Sequence, residues 1–164
     1  MVQYRRDFTF GGTYFFTVTL RDRSSHLLVD RIDELRAAMR GVRGHHPFTI
    51  DAMVVLPEHL HAIWTLPEND ADYSLRWRLI KRQFTDTIGQ SSWQSRFWEH
   101  RIRDDDDYAR HVDYIHWNPV KHGYVMQVRD WPHSSFHRFV RDGLLPTDWG
   151  GSAKDTSGEF GEPR

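Results

Sequence analysis

The chain has 164 residues, of which 38% are apolar and 14% aromatic, and it contains no cysteine. A chain of this length forms one ordinary domain and buries about two-thirds of its surface on folding, so it can form a core without disulfides. The composition excludes disulfide scaffolds, cysteine-ligated clusters and thiol nucleophiles, and the aromatic content argues against a disordered chain. Lys and Arg number 22 against 23 Asp and Glu, and the net charge of −1 gives no sign of a general affinity for nucleic acid.

Neither a membrane span nor a secretory signal is recognisable in the sequence. The longest unbroken apolar run, residues 52–56, is far shorter than the roughly 20 residues that cross a bilayer. Polar and charged residues interrupt the N-terminal segment, where a signal peptide would place its apolar stretch. We therefore expect a cytoplasmic protein.

The first predicted elements are a strand and a helix. Residues 13–20 combine aromatic and β-branched side chains, a composition that is typical of a strand. Apolar residues recur at helical spacing over residues 26–40, and Ser25 can cap the first turn. Gly41 and Gly44 predict the end of this helix, because glycine is a poor helix former.

Two strands and a second helix follow. Strand-like runs at residues 48–56 and 60–66 are separated by a short turn, which predicts a hairpin. An amphipathic pattern then predicts a helix over residues 73–88. The order β-α-β-β-α indicates an α+β fold, a ferredoxin-like split βαβ with a central antiparallel sheet and helices on one face.

The second half of the chain is predicted to hold a short strand region, a third helix and an aromatic segment. Strand pairing is predicted around residues 97–102, and a run of aspartates suits the start of the helix at 104–117, because the helix dipole favours carboxylates there. Pro119 predicts the end of that helix, since the residue before a proline is biased away from helical conformation. An aromatic segment follows to about residue 140. We expect its first part, residues 131–136, to close the core, and direct contact with DNA is the alternative.

Residues from 150 onward are rich in Gly, Ser, Thr and acidic side chains. We therefore expect one domain at 1–149 and a flexible C-terminal tail at 150–164. A tail that folds back over a functional site is the alternative.

His59 and His61 form the most informative spacing in the sequence. On a strand, residues two apart project to the same face, so these imidazoles point together while Leu60, Ala62 and Trp64 face the core. Two neighbouring imidazoles can bind a divalent metal ion. The alternative is a pair of exposed histidines at a hairpin edge, because the chain contains eleven histidines and this spacing is weak by itself.

Tyr114 and Asn118 lie four residues apart on the third helix and therefore share one face, with Arg110 a turn earlier. A phenol has a pKa near 10 and attacks phosphorus readily only where a metal ion or a base polarises the reacting groups. A tyrosine beside an amide oxygen and a histidine pair could meet that condition. The alternative is a half-buried tyrosine with one hydrogen bond. Tyr108 and Tyr124 are weaker candidates, because neither has an amide residue four positions later.

The most basic part of the chain lies between residues 75 and 103. Seven Lys and Arg against two acidic residues give a local charge of +5, and aromatic residues are interleaved with them. Cationic side chains neutralise phosphates, and aromatic faces stack unpaired bases at about 1–3 kcal/mol per base. The alternative is a solvated basic face over an apolar core. With a smaller N-terminal pair, the predicted DNA-binding residues are Arg5, Arg6, Arg76, Arg78, Lys81, Arg82, Arg96, Arg101 and Arg103.

Four motifs follow one another in the chain. They are Met53-Val54-x-x-Pro57-x-His59-x-His61, Trp98-Glu99-x-x-Ile102-Arg103-Asp104, Tyr114-Ile115-His116-x-Asn118-Pro119-Val120-x-x-Gly123 and Trp131-Pro132-x-Ser134-Ser135-Phe136. In this order and spacing they resemble the single-tyrosine HUH transposases, specifically the REP-associated tyrosine transposases. The resemblance covers residues 14–139.

The resemblance implies a metal-dependent endonuclease and strand transferase that acts on single-stranded, hairpin-forming repetitive DNA. In such enzymes the histidine pair holds Mg²⁺ or Mn²⁺, and a tyrosine attacks the scissile phosphate to give a 5′-phosphotyrosine and a free 3′-OH. His59 and His61 match the metal ligands, and Tyr114 matches the nucleophile. Asn118 matches the position of a third ligand. The branch is also described as monomeric, so we expect a monomer rather than a dimer with shared sites.

Two other functions remain compatible with the sequence. A non-catalytic single-stranded nucleic-acid-binding module on a ferredoxin-like sheet would bind without cleavage under any divalent metal ion. A metal-dependent hydrolase that uses water in place of Tyr114 would cleave DNA without forming a covalent protein–DNA species.

Overall fold

Four strands and five α-helices make up the computed structural model, which describes residues 5–150 and 160–162. The strands are β1 (Thr13–Thr19), β2 (Thr49–Val55), β3 (His59–Thr65) and β4 (Trp98–Arg101). The helices are α1 (Leu27–Asp30), α2 (Ile32–His45), α3 (Tyr73–Ile88), α4 (Asp105–Lys121) and α5 (Phe136–Arg141), with a 3-10 turn at Val128–Asp130. None of the helices in this part of the chain combines the length and the apolar character that crossing a bilayer requires.

The strands form one sheet in the order β2-β3-β1-β4, and every neighbouring pair is antiparallel. The central strands are therefore β1 and β3, while β2 and the short β4 are the edges. With helices between β1 and β2 and between β3 and β4, this is the ferredoxin-like arrangement, and the predicted fold class is confirmed. The strand pairing predicted around residues 97–102 is a single short strand that adds to β1.

Alternation along the strands divides the sheet into two packed faces. Phe16 and Trp64 belong to the core that α2 and α3 cover. Phe15 and Ile63 belong to a second core, which includes Ile115 of α4. The first three helices thus share one face, as predicted, and the tyrosine-bearing helix covers the other.

The helix between β3 and β4 has the bounds that the sequence predicts. The side chain of Asp72 caps its first turn by accepting a hydrogen bond from the Leu75 N–H at 2.9 Å. Gly89 follows its last residue with a φ of 79°, a left-handed conformation that glycine adopts without strain. Both ends therefore follow from ordinary capping chemistry.

The first helical region is longer than predicted and is divided into α1 and α2. Gly41 and Gly44 lie inside α2, which continues to His45. A Cβ at Gly41 would lie 3.1 Å from Oε1 of Gln83 on α3, so glycine permits the two helices to approach closely. The close packing of α2 on α3 thus outweighs the weak helix propensity of glycine. A local sequence pattern does not show such packing between helices.

The prediction that α4 ends before Pro119 is wrong, because the helix continues to Lys121. A proline removes only its own N–H bond, and the last turn is still closed by N–H groups that follow it. His122 N donates to the Asn118 carbonyl, and Tyr124 N donates to the Pro119 carbonyl, each at 3.0 Å. Asn118 consequently stays helical, and the residues after Pro119 remain in register with Tyr114.

Part of the tail that the sequence predicts to be flexible lies against the sheet face that α4 covers. Phe160 belongs to the second core and is 4% exposed. Residues 151–159 and 163–164 lie outside the described residues, so the structure bears on the tail only at 160–162.

Candidate metal and tyrosine site

His59 and His61 project from β3 to the face of the sheet that carries Tyr114. Leu60 and Trp64, which alternate with them, pack in the opposite core as the sequence predicts. The two imidazole rings lie 4.9 Å apart between centroids and are 1% and 0% exposed. The alternative of an exposed pair at the hairpin edge is therefore wrong.

Each imidazole is held at Nδ1 by a neighbouring side chain, which comes from the turn before β3 for His59 and from β1 for His61. Nδ1 of His59 hydrogen-bonds to Glu58, and Nδ1 of His61 lies 2.8 Å from Oγ1 of Thr17. Outer partners of this kind orient histidines that bind metal ions. Burial lowers the pKa of His61 to about 4. Burial also opposes a charge on His59, but the neighbouring carboxylates of Glu162 and Glu58 outweigh it and raise the pKa of that ring.

The carboxylate of Glu162 lies in front of both histidines. Its Oε1 is 2.8 Å from Nε2 of His59 and 2.7 Å from Nε2 of His61. Burial opposes the charge on Glu162, yet hydrogen bonds from three histidines hold its pKa well below the usual range. One anionic oxygen from the C-terminal region therefore occupies the point on which the histidine pair converges.

Three residues near the C-terminal end of α4 reach the same carboxylate. Lys121 Nζ lies 2.7 Å from Oε2 of Glu162, and His122 Nε2 lies 3.0 Å from Oε1. The amide nitrogen of Asn118 is 3.4 Å from Oε1, while its buried Oδ1 has no hydrogen-bond partner in the described part of the chain. These residues follow Tyr114 by four, seven and eight positions, a spacing that places them on one helix face.

Tyr114 lies at the centre of this cluster and is 3% exposed. Its ring stacks on Phe160 with centroids 3.7 Å apart and planes inclined by 7°. Its hydroxyl accepts a hydrogen bond from Lys121 Nζ at 3.0 Å. Burial raises the pKa of Tyr114, and the negative charge of Glu162 acts in the same direction. Tyr114 is thus a neutral, covered phenol in this conformation.

Comparison with known proteins places the chain in a family. It is 58% identical over 158 residues to a protein of Escherichia coli (strain K12) named REP-associated tyrosine transposase, and the match covers 96% of each chain. This chain belongs to the REP-associated tyrosine transposases. A protein of Haemophilus influenzae that carries the same name provisionally is 48% identical over 167 aligned residues, which cover 93% of this chain and 95% of that protein. No family profile matches the sequence.

A solved structure supports the same assignment to the REP-associated tyrosine transposases. It contains the REP-associated tyrosine transposase bound to a REP hairpin, and it matches this chain with a TM-score of 0.94 and 56% identity. The match covers 100% of this chain and 99% of that one. The family predicted from the four motifs is therefore confirmed.

The donor atoms of this REP-associated tyrosine transposase fit a divalent metal ion. Nitrogen atoms of His59 and His61 and an oxygen of Glu162 lie within 4.8 Å of one another. Asn118 adds the unpartnered Oδ1, and a half-turn of its amide would place this oxygen where Nδ2 now contacts Glu162. Two imidazoles with oxygen ligands suit Mn²⁺ better than Mg²⁺, which prefers an all-oxygen shell.

Three residues of the cluster around Tyr114 were not indicated by the sequence, namely Lys121, His122 and Glu162. For the first two, a usable signal was their distance of seven and eight residues from Tyr114. A helix that is predicted to stop before Pro119 hides this signal, because the spacing has meaning only on a continuous helix. Glu162 has no comparable signal, since nothing in a tail rich in small residues indicates where it packs.

Two of the cations that the sequence predicts to bind DNA are buried or half-buried and stabilise the fold. Arg76 is 1% exposed and forms an ion pair with Asp70 at 3.0 Å. We leave it out of the proposed DNA contacts, because its guanidinium cannot reach a phosphate. Lys81 is half-buried and donates to the Gln94 carbonyl at 3.1 Å, and burial lowers its pKa to about 8.

The other seven predicted DNA contacts of the transposase are more accessible, although two of them already have partners. Arg6 pairs with Glu99 at 2.6 Å, and Arg101 pairs with Asp7 at 2.9 Å. None of the nine forms a hydrogen bond or ion pair with the histidine pair or Tyr114 in the residues that the structure describes. Five are exposed and form no ion pair within the described ranges, and they stay predictions: Arg5, Arg78, Arg82, Arg96 and Arg103.

Proposed function

We propose that this protein is a metal-dependent endonuclease and strand transferase that cuts and rejoins single-stranded DNA at hairpin-forming REP sequences. The support is geometric: both histidines of β3 and the amide of Asn118 on α4 surround one anionic oxygen of Glu162. The Tyr114 hydroxyl and the same carboxylate share the ammonium of Lys121. The carboxylate therefore marks a position where an anion is bound beside a phenol. The hairpin in the similar solved structure supports the choice of DNA.

The proposed metal ligands are Nε2 of His59, Nε2 of His61 and Oδ1 of Asn118, with Mn²⁺ or Mg²⁺ as the ion. When bound, such an ion polarises the scissile phosphate as a Lewis acid. Glu58 and Thr17 keep the histidine Nδ1 atoms occupied, so both Nε2 atoms remain directed at one point. The site is therefore organised by the sheet before any DNA enters.

The proposed nucleophile is Oη of Tyr114. Its attack forms the Oη–P bond and breaks the bond from phosphorus to the 3′ oxygen, which leaves with a proton as a free 3′-OH. The phenol loses its proton during the attack, and the Lys121 ammonium, which lies 3.0 Å from Oη, stabilises the negative charge that develops. A 3′-OH that attacks the phosphotyrosine reverses both bond changes and restores the phenol.

Phe160 and Glu162 occupy the space that the metal ion and the substrate phosphate need. Glu162 contacts the histidines and Lys121, while Phe160 covers the ring of Tyr114. We propose that residues 160–162 leave the site before DNA reaches the nucleophile, so their release limits activity. Because Tyr114 and His61 of the same chain already lie 5.2 Å apart between ring centroids, a monomer suffices.

The deciding experiment is a denaturing gel of DNA hairpins labelled separately at each end, incubated with the protein and Mn²⁺. A 5′-phosphotyrosine intermediate shifts the 3′-labelled fragment to the mobility of a protein adduct and releases the 5′-labelled fragment. Tyr114→Phe should form no adduct while it still binds the hairpin. A binding module would leave the DNA intact, and a hydrolase that uses water would cut it without an adduct. Either result would falsify the proposal.

A further inference from the structure

A groove beside the outer edge of β2 carries positive charge that the Tyr114 site does not use. It has a volume of about 380 Å³. Arg36 and Arg43 line it from α2, while His133 and Arg138 line it from the segment before and within α5. We call these four residues the basic groove.

The three arginines of the basic groove have no carboxylate partner within the described residues, where ion pairs involve other arginines. Arg138 donates to the backbone carbonyls of Ile50 and Asp51, and Nε of Arg43 donates to a backbone carbonyl at 3.1 Å. These bonds fix two guanidinium groups without an ion pair, although the Asp51 carboxyl is close enough to Arg138 to feel its charge: burial raises the pKa of that carboxyl, and the Arg138 charge acts to lower it. Fixed guanidinium groups that form no ion pair are suited to bidentate binding of phosphate.

The charge continues along α2 beyond the groove. Arg40 is exposed and lies four residues after Arg36 and three before Arg43, so the three share one helix face. Arg36 and Arg43 are about 10 Å apart along the helix axis, the rise of about three nucleotides in one DNA strand. Two acidic residues, Asp33 and Glu34, lie in the first turn of α2. Glu34 is paired with Arg31 at 2.8 Å, and Asp33 acts to raise the pKa of His133 against the opposing effects of burial and Arg36. The surface is therefore cationic over a length that matches several phosphates.

The edge of β2 beside the groove is not open to an added strand. Val55 N donates to the His133 carbonyl at 2.9 Å, and Ser135 N donates to the Met53 carbonyl at 2.8 Å. Oγ of Ser135 accepts the Met53 N–H as well, at 2.9 Å. Since these backbone groups are already paired, an extended peptide could not bind by strand addition. A phosphate backbone fits the groove better than a peptide does.

Aromatic rings connect the basic groove to the Tyr114 site. The ring of His133 is 5.8 Å from Trp131, which is 5.4 Å from Tyr124, measured between centroids. Tyr124 is in turn 6.3 Å from His122, and His122 is 5.2 Å from His59. Tyr124 is 40% exposed, whereas Trp131 is half-buried and its Nε1 donates to the Val55 carbonyl at 3.0 Å. Aromatic rings that present a face to solvent, as Tyr124 does, stack unpaired bases.

We propose that the basic groove binds the phosphate backbone of the hairpin, and that Tyr124 and Trp131 stack the unpaired nucleotides that lead from the hairpin to Tyr114. This inference rests on the proposed function and deepens it, because it states where the hairpin lies relative to the nucleophile. It also shifts the main DNA surface from the cations predicted on α3 to those on α2 and α5. Near-neutral overall charge is compatible with this surface, since the cations are concentrated along one groove.

The first test compares two charge-matched pairs of exposed arginines. Arg36→Gln with Arg43→Gln removes groove cations, and Arg78→Gln with Arg82→Gln removes the same charge from α3. Binding of a fluorescein-labelled DNA hairpin with a short single-stranded extension is measured by anisotropy, without divalent metal, from about 50 to 200 mM salt. The variant that lacks the groove pair should bind at least about tenfold more weakly than the wild type. The slope of log affinity against log salt concentration should become shallower by about 2, since each phosphate contact contributes about 0.9 to that slope.

The sequence predicts that the α3 pair also binds DNA, so the two pairs separate two candidate surfaces. If the groove is the main surface, the α3 pair changes the affinity by less than about threefold and leaves the salt slope near that of the wild type. If the groove pair matches the wild type, or if both pairs weaken binding equally, the groove is not the hairpin surface. This outcome differs from a failure of the proposed function, in which the wild type binds the hairpin but forms no adduct with Mn²⁺.

The second test concerns the aromatic path. Tyr124→Ala should weaken binding of the extended hairpin by about 5- to 150-fold, the loss of one base stack, and leave a blunt hairpin unaffected. Tyr124→Phe keeps the ring and should retain wild-type affinity. If Tyr124→Ala and the wild type bind the extended hairpin with equal affinity, Tyr124 does not stack an unpaired nucleotide.

Discussion

Nζ of Lys121 lies 3.0 Å from the hydroxyl of Tyr114, two helical turns away on the same face of α4. The same ammonium is 2.7 Å from Glu162. The Lys121 ammonium therefore lies between the proposed nucleophile and the Glu162 carboxylate. We assign the place of that carboxylate oxygen to the substrate phosphate. A cation there stabilises the negative charge on both reacting groups.

Lys121→Met should slow adduct formation by about 10²-fold, because it removes one donor to the charge that develops on Tyr114. The measurement is the single-turnover rate of adduct formation with protein in excess over labelled DNA. Lys121→Arg, which keeps a cation, should recover part of the rate. Hairpin affinity should change little in either variant. A rate for Lys121→Met within about twofold of the wild type would exclude a role in the chemical step.

Glu162→Gln should increase the rate of adduct formation. The carboxylate contacts three histidines and Lys121, and it raises the pKa of Tyr114. Removing its charge therefore weakens the binding of residues 160–162 to the site. We expect roughly a tenfold gain, the effect of about 1.4 kcal/mol lost from the closed state. Glu68→Gln, which removes an exposed charge elsewhere, is the matched control and should leave the rate unchanged. A slower Glu162→Gln variant would indicate that the carboxylate assists the reaction.

The fold and half of the site could be predicted from local patterns. The alternation around His59 and His61 was sufficient to place both imidazoles on one face, because the side-chain period of a strand is two. The amphipathic pattern of α3 was sufficient to predict its bounds, and Asp72 and Gly89 cap its ends in the structure. Such features depend on neighbours in the sequence, so a single chain reveals them.

The rest of the site depends on contacts between distant segments. Pro119 suggests a helix end by its local effect, but N–H groups beyond it keep the helix closed and bring Lys121 and His122 to Tyr114. Glu162 reaches His61 across a separation of 101 residues, which no local pattern encodes. The charge of Arg76 likewise suggests a surface residue, whereas the structure buries it and pairs its charge with Asp70.

Asn118→Leu should weaken Mn²⁺ binding by at least about tenfold, since it removes an oxygen ligand and keeps a side chain of similar size. Asn118→Asp supplies an anionic oxygen at the same position and should bind Mn²⁺ at least as well as the wild type. Electron paramagnetic resonance of free Mn²⁺ measures both affinities without reference to cleavage. If Asn118→Leu binds Mn²⁺ as tightly as the wild type, the third ligand has been assigned wrongly.

Asp107 should make the stability of the protein sensitive to acid. Burial opposes its charge, but the His100 imidazole and the backbone N–H of Arg103 outweigh it and hold the pKa at about 2. Because the folded pKa lies below the unfolded value of about 3.9, this carboxylate contributes stability above about pH 4 that is lost as the pH falls toward 2. The contribution is of the order of 2 kcal/mol. Urea unfolding at a series of pH values should show a steeper loss below pH 4 in the wild type than in Asp107→Asn, and parallel curves for the two proteins would contradict the assignment.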